Sequence, residues 1–153
     1  MIYLADRESL ATKEHTITGD NFVSMKFGPV NSYTYSYMRG QAPVRQEQWA
    51  EFIGPRWGHE IPLVQKLEVD ALDELSRGDL KILNGTWENF SDIERFELAE
   101  WTHKFCPEWK DPGNSSVPID LSTIFKRLEK QEPVELAEAI QAERSFISQL
   151  SQQ

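Results

Sequence analysis

Apolar residues recur at helical spacing in several segments of this chain, and residues that start or end helices bound each segment. Ser76 and Asp79 form a capping-box pattern ahead of one segment, and Pro133 stands where the first turn of another would begin. Because the caps and the spacing agree, the sequence predicts a mainly α fold in a single compact helical domain. Helices are expected over residues 1–13, 31–39, 46–53, 76–90, 91–105, 120–128 and 133–150.

Two segments depart from the helical pattern. Residues 22–27 alternate in part between apolar and polar side chains, which is typical of a short strand or of an irregular extended segment. Apolar and polar residues also alternate between Trp57 and Val69, and this pattern predicts a short β-hairpin. Gly28-Pro29-Val30 predicts a sharp entry into the next helix, since proline fixes its own φ. Residues 108–118 have the composition of a loop.

The tryptophans divide by their positions along the chain. Trp87 and Trp101 lie on apolar helix stripes and are predicted to be core residues. Trp57 and Trp109 lie in predicted loops. A loop tryptophan beside an arginine, as in Arg56-Trp57, combines residue types that dominate binding hot spots.

Length and composition fit one globular domain. The chain has 153 residues, of which 39% are apolar and 27% are charged. A chain of this size buries roughly two-thirds of its unfolded surface. We expect the domain to span residues 1–130, followed by a C-terminal helix at 131–153. The sequence contains neither a run of 18 apolar residues nor the basic and then apolar start of a signal peptide, which favours a cytoplasmic location.

The chain is acidic along its whole length, with a formal net charge of −9. Residues 1–75 carry 7 basic and 11 acidic groups, and residues 76–153 carry 9 and 14. A nucleic-acid-binding surface normally needs a basic patch to follow the phosphate backbone, so direct nucleic-acid binding is not expected. An acidic surface instead suits a basic protein partner, because opposite charges speed encounter and impose register.

The residue pairs that could carry metal or catalytic chemistry are few. His103 and Cys106 are one helical turn apart, but structural zinc takes about four ligands, and the other two histidines lie in unrelated segments. We therefore predict no metal and no cofactor. No helix N-terminus is predicted to lower the pKa of the thiol. Cys106 is predicted to be a free, buried thiol, and no catalytic residue is assigned.

Four short motifs occur in a fixed order along the chain. They are Tyr3-Leu4-Ala5-Asp6-Arg7, Ile17-Thr18-Gly19-Asp20, Phe27-Gly28-Pro29-Val30 and Leu98-Ala99-Glu100-Trp101-Thr102-His103, the last followed by Trp109. In these motifs the chain resembles the Panacea domain, the SocA-like antitoxin domain of type II toxin–antitoxin systems, from Tyr3 to about Leu128. Family members usually place one or two further helices before the first motif, so we expect the N-terminal helical layer to be truncated here.

The resemblance implies a cytoplasmic antitoxin of a bacterial or phage toxin–antitoxin pair, which neutralises a cognate protein toxin by direct protein–protein interaction and is not an enzyme. Two other classes stay open on the residues alone. One is a small enzyme or nucleotide-binding protein that uses Asp6, His103 and Cys106. The other is a proteolytic adaptor that delivers a partner protein to a protease. A homo-oligomer also stays open, because a truncated N-terminus would leave apolar surface bare.

Two sets of residues are the candidate site. The residue types and the predicted corner near Gly28 point to partner binding by Lys26, Phe27, Tyr33, Arg56, Trp57 and Trp109. The resemblance implies structural roles for the motif residues Tyr3, Asp6, Gly19, Asp20, Gly28, Pro29, Val30, Thr102 and His103. Gly28-Pro29-Val30 is not a phosphate loop, since it lacks the repeated glycines and the Lys-Ser/Thr pair of that motif.

Overall fold

The computed structural model describes residues 1–42, 44–69 and 72–150. Within these ranges the protein is mainly α-helical with one small sheet, which confirms the predicted fold class. The helices are α1 (Ile2–Lys13), α2 (Ser32–Met38), α3 (Gln46–Phe52), α4 (Arg77–Phe90), α5 (Arg95–Phe105), α6 (Leu121–Arg127) and α7 (Pro133–Leu150). The strands are β1 (Phe22–Met25), β2 (Gly28–Asn31) and β3 (Val117–Ile119).

The sheet is antiparallel, with the strand order β2-β1-β3. Central β1 pairs Val23 with Val30 of β2 and with Pro118 of β3. The tight β1–β2 connection contains Lys26 and Phe27 and carries their side chains to the surface. Pro118 is tolerated because β3 is an edge strand, where the missing proline N–H costs little.

Helix α1 lies at the centre of the domain. It contacts β2, α4 and α6, and it buries residues on more than one side, among them Tyr3, Leu4 and Leu10. These side chains join one apolar cluster whose other buried members are Phe22, Cys106, Ile119, Ile124, Phe125 and Ile140. The cluster therefore draws on both ends of the chain.

Helix α4 starts where the sequence predicts it. The Ser76 side chain accepts a hydrogen bond from the Asp79 N–H, and the Asp79 carboxylate accepts one from the Ser76 N–H, so the capping box is confirmed. Asp79 also forms an ion pair with Lys13, the last residue of α1. This pair joins the end of α1 to the start of α4, and the pKa of the Asp79 carboxyl is lowered although desolvation opposes the shift, because Lys13 and Ser76 bond the charged form.

The prediction of a β-hairpin between Trp57 and Val69 is wrong in its position. The hairpin of the sheet is instead β1–β2, so residues 22–25 are confirmed as a strand and Gly28-Pro29-Val30 belongs to β2 rather than to a helix entry. Residues 53–64 form only two isolated bridges, Ile53 with Leu63 and Trp57 with Glu60. Their turn is formed by Gly58 and His59, at the start of the range predicted for the hairpin.

Two further predictions are wrong, namely the burial of Trp87 and the start of the helix expected over residues 91–105. Trp87 is 63% exposed rather than part of the core. Its neighbour Thr86 is the buried residue of α4, and one residue along a helix turns the side chain by about 100°. Ser91 does not cap α5, because it has helical dihedrals and bonds back to Trp87 at the end of α4. The N-cap of α5 is Glu94, whose carboxylate accepts from the Phe96 N–H at 2.7 Å.

The segment 108–118 is also less irregular than its composition predicts. Val117 and Pro118 belong to β3, and Glu108 is buried. Cys106 ends α5 as a buried free thiol, which confirms the prediction for this residue.

Phe125 provides a test of the core, because it is 0% exposed and lies within the apolar cluster. We expect Phe125→Ala to lower the free energy of unfolding by about 3–5 kcal/mol, since it removes buried apolar surface and leaves a cavity. Urea denaturation followed by circular dichroism measures this. The control is Trp87→Ala on the exposed face of α4, which should change stability by no more than about 0.5 kcal/mol. Equal effects of the two substitutions would contradict this description of the core.

Candidate functional site

Asp6 joins three parts of the N-terminal half. Its carboxylate is 0% exposed and accepts four hydrogen bonds. One oxygen accepts from the Ile17 N–H at 2.7 Å and the Thr18 N–H at 3.0 Å. The other accepts from the Thr18 hydroxyl at 2.5 Å and the Asn31 amide at 2.6 Å. Asp6 therefore holds the turn after α1 and the end of β2 against the central helix.

Asp20 holds the first turn of α2 in place. Its carboxylate accepts from the backbone N–H groups of Tyr33 and Thr34, both at 2.8 Å, and from the Thr34 hydroxyl at 2.8 Å. These N–H groups belong to the first turn of α2 and have no partner inside the helix. Gly19, with a φ of 65°, carries the chain into this position. The motif Ile17-Thr18-Gly19-Asp20 thus supplies the acceptor that orients α2.

Gly28 is required by a close approach between β2 and α5. A Cβ atom on Gly28 would lie 2.6 Å from the Thr102 hydroxyl, and the Gly28 φ of 120° is one that other residues rarely adopt. The Thr102 hydroxyl is itself buried and donates to the Ala99 carbonyl at 2.7 Å. Gly28 and Thr102, from two distant motifs, therefore meet at one contact. Pro29 is buried beside them, and Val30 is half-buried.

Glu108 connects the end of α5 to α1. Its buried carboxylate accepts from the Tyr3 hydroxyl and forms an ion pair with Arg7, with Nε of Arg7 at 2.7 Å from Oε1. Burial and the neighbouring Glu108 charge raise the pKa of Tyr3 well above its ordinary value. Tyr3 therefore stays a hydrogen-bond donor over the physiological pH range. We call Asp6, Asp20 and Glu108, with the groups that they bind, the carboxylate frame.

His103 and Trp109 form a stacked pair beside the sheet. Their ring centroids lie 3.7 Å apart, and the Trp109 indole donates to the Met25 carbonyl at 2.9 Å. The His103 Nε2 atom is buried without a hydrogen-bond partner among the described residues. Trp109 lies outside the helices and strands, as predicted, but it is half-buried and its indole bonds the end of β1.

An exposed aromatic corner lies where the β1–β2 turn meets the start of α5. Phe27 is 64% exposed, and its ring lies 5.9 Å from that of Phe96, which is also exposed. Lys26 Nζ lies 5.8 Å from the Phe27 ring centroid, and the Arg95 guanidinium lies 4.8 Å from that of Phe96. We call Lys26, Phe27, Arg95 and Phe96 the corner. It combines apolar rings with cations, so it can make both kinds of contact with a partner.

The other predicted partner-binding residues lie apart from the corner. Tyr33 is exposed on α2, and its ring makes no stacking contact with Phe27 within the part of the chain that the structure describes. Arg56 and Trp57 belong to the segment after α3, where Trp57 is 85% exposed. Among the described residues, no ring contact therefore joins Tyr33 or Trp57 to the corner.

Sequence reasoning missed several residues of this region. Residues 108–118 are predicted to be a loop, and no local pattern indicates that Glu108 is buried against Tyr3 and Arg7. Phe96 is the second residue after the N-cap Glu94, and the predicted start of this helix at residue 91 did not indicate its exposure. Arg144 of α7 donates to the Asp20 carbonyl at 3.0 Å, and burial lowers its pKa. For Asn31 the sequence predicts only the start of a helix and not its hydrogen bond to Asp6.

Metal binding and thiol chemistry would involve the His, Cys, Asp and Glu side chains of the described residues. No group of three or more His, Cys, Asp or Glu side chains within these ranges is arranged to hold a metal ion. Cys106 is 0% exposed, and burial together with the Glu108 charge raises the pKa of its thiol to about 12. A thiol in this state is protonated at neutral pH and is a poor nucleophile.

Comparison with known proteins identifies the family. The family model described as "Antitoxin SocA-like, Panacea domain" matches residues 1–110, which include all four motifs. The chain belongs to this family of SocA-like antitoxin domains. No curated protein and no solved structure matches the chain. Among the described residues, no helix is long and apolar enough to cross a membrane.

Asp6 provides the first test of the site. We expect Asp6→Asn to lower the free energy of unfolding by about 3 kcal/mol, because an amide NH₂ would face donors that now share a buried carboxylate. Urea denaturation measures the loss. Glu8→Gln is the matched control, since Glu8 is an exposed acid on the same helix and should change stability by no more than about 0.5 kcal/mol. An Asp6→Asn variant as stable as the wild type would show that the hydrogen bonds of Asp6 do not stabilise the fold.

Cys106 provides the second test. We expect native protein at pH 8 to react with iodoacetamide at least about 100-fold more slowly than protein unfolded in guanidinium chloride, because the buried thiol forms little thiolate. The folded state binds the thiol proton more tightly than the unfolded state, so this group's contribution to stability falls as pH rises from about 9 to about 12. Mass spectrometry of the alkylated protein measures the rate. A native rate that levels off near pH 9 would contradict the assignment.

Proposed function

We propose that this protein is an antitoxin that neutralises a cognate protein toxin by binding it directly, in a bacterial or phage toxin–antitoxin pair. The observation that carries the proposal is the family match, which covers residues 1–110. The match gives the class of protein and leaves the toxin open. We assign the binding unit to residues 1–130 and treat α7, within the segment 131–153, as a supporting helix. We place the protein in the cytoplasm.

The chemistry of the motif residues supports binding rather than catalysis. Both oxygens of Asp6 are engaged by internal donors, and Cys106 is buried with a raised pKa. His103 stacks on Trp109. An enzyme built on these three side chains would need at least one of them to reach a substrate. Neutralisation needs only a complementary surface that blocks the toxin or holds it in an inactive form.

The surface chemistry favours a basic partner with apolar clefts. The chain carries a formal net charge of −9, which attracts a basic protein and speeds encounter. Exposed aromatic side chains offer anchors, since tryptophan, tyrosine and arginine dominate binding hot spots. We propose that the contact residues include Lys26, Phe27, Tyr33, Arg56, Trp57 and Trp109, with Phe96 added from the structure.

Co-expression with the adjacent genes tests the proposal. One adjacent open reading frame is expected to arrest growth when it is expressed alone and to be harmless when it is expressed with this protein. A stop codon in place of Leu4 should abolish the rescue, which shows that the polypeptide and not its RNA is responsible. The Asp6→Asn variant should rescue less well in proportion to its lower stability.

Titration of the purified proteins separates the rival classes. Inhibition of the purified toxin is expected to be complete only near a fixed whole-number ratio of the two proteins. In cells, the level of the toxin should not change when this protein is expressed. Complete inhibition at a small fraction of that ratio would indicate an enzyme. Rescue that requires a cellular protease and lowers toxin levels would indicate an adaptor. Either result would overturn neutralisation by binding.

A further inference from the structure

Residues 53–64 form a two-legged projection after α3, which we call the arm. The Gly54 N–H donates to the Pro62 carbonyl at 2.8 Å, and the Val64 N–H donates to the Phe52 carbonyl at 2.9 Å. Gly54 is buried between the two legs, where a Cβ atom would lie 2.8 Å from the Pro62 ring. The arm therefore has its own backbone hydrogen bonds and its own small contact between legs.

The tip of the arm is a closed two-residue turn. Trp57 and Glu60 exchange backbone hydrogen bonds of 2.9 and 3.0 Å across Gly58 and His59. The Gly58 φ of 58° is the left-handed value that the first position of such hairpin turns requires. Arg56 Nε donates to the Gly58 carbonyl at 2.7 Å. Trp57 is thus held at a turn whose shape is fixed before any partner binds.

The arm is exposed along its outer part. Residues 55–60 are all exposed, and Trp57 leaves 85% of its surface in water. Leu63 and Val64 on the second leg are about half exposed. The contacts of the preceding helix α3 with the residues before it include the stack of Trp49 on Tyr37, with ring centroids 5.2 Å apart, and a hydrogen bond from the Ala42 N–H to the Gln46 side chain at 3.3 Å. Exposed apolar side chains on a preorganised projection indicate an interaction surface.

The charges around the arm give the chemistry of its partner. Glu47 and Glu51 lie on exposed positions of α3, and Glu60 lies at the tip. Within the part of the chain that the structure describes, none of these three carboxylates has an ion-pair partner, and Lys66 is paired with Glu68 at 2.8 Å. The arginines of residues 45–64 are Arg45 and Arg56, so the acids outnumber them. An apolar tip with free acids around it complements a cleft that is apolar inside and basic at its rim. A second copy fits less well, because each copy carries a charge of −9.

We propose that the arm inserts into an apolar, basic-rimmed cleft of the protein toxin, with Trp57 as the anchor. This inference rests on the proposed function and makes it more specific. Removal of the indole costs affinity, since a tryptophan buried on binding is a typical hot spot. The acids at the rim act mainly on the association rate and on its salt dependence.

Matched tryptophan variants test the arm. The binding partner is the purified product of the adjacent gene that arrests growth, and isothermal titration calorimetry measures the dissociation constant. Trp57→Ala is expected to weaken binding by at least about 30-fold. Trp87→Ala is the control, because Trp87 is also exposed but lies on α4 away from the arm, and it should leave affinity within about two-fold. Urea denaturation should show both variants as stable as the wild type within about 0.5 kcal/mol.

A charge series supports the same test. The combined substitutions Glu47→Gln, Glu51→Gln and Glu60→Gln are expected to lower the association rate several-fold at low salt, with little change at 0.5 M salt, because the ions there screen surface charges. The matched control removes three exposed acids outside the arm, by Glu88→Gln, Glu135→Gln and Glu138→Gln. Stopped-flow fluorescence measures the rate.

The outcomes separate this inference from the proposed function. If the wild type binds the toxin and Trp57→Ala binds it equally well, the arm is not the anchor, although the antitoxin assignment stands. If the chain alone forms dimers that Trp57→Ala disrupts in sedimentation velocity, a second copy occupies the arm and the inference is wrong. If the wild type binds no adjacent gene product, the proposed function fails and the inference fails with it.

Discussion

The buried carboxylate of Asp6 is the interaction on which the rest of the structure depends. A carboxylate removed from water costs several kcal/mol unless hydrogen bonds replace its hydration. Here the replacements come from the turn at Ile17 and Thr18 and from the Asn31 side chain. Since these donors belong to different segments, the charge is satisfied only when helix, turn and strand are in their native positions. One polar group thus makes three local structures interdependent.

Thr18 extends this dependence to a second acid. Its hydroxyl donates to Asp6 and accepts from the Asp20 N–H at 3.1 Å, while the Asp20 carboxylate binds the first turn of α2. Glu108 completes the carboxylate frame from the far end of α5. These three acids explain how short elements with few apolar contacts keep fixed positions. A fixed support also lowers the entropy that exposed side chains such as Phe27 would lose on binding.

Local signals predicted the helices well, whereas contacts between distant segments decided the rest. The capping box at Ser76 and the proline at 133 act within a few residues, so the starts of α4 and α7 could be read from sequence. The orientation of Trp87 depends on which face of α4 meets α1, which no local pattern records. Pro118 argued against a strand, and only the position of β3 at the sheet edge removes that objection. The burial of Glu108 depends on Tyr3 and Arg7, about 100 residues away.

Strand β3 protects the part of this chain that matches the family against aggregation. Residues 1–110 match the family, but β3 and the buried residues Ile119, Ile124, Phe125 and Ile140 come from the sequence after them. Without that later segment, β1 would present an open row of backbone donors and acceptors beside bare apolar side chains, a combination that promotes aggregation. The segment after residue 110 therefore acts as a built-in cover, which pairs the open edge of β1 and shields the apolar side chains of the central helix from water.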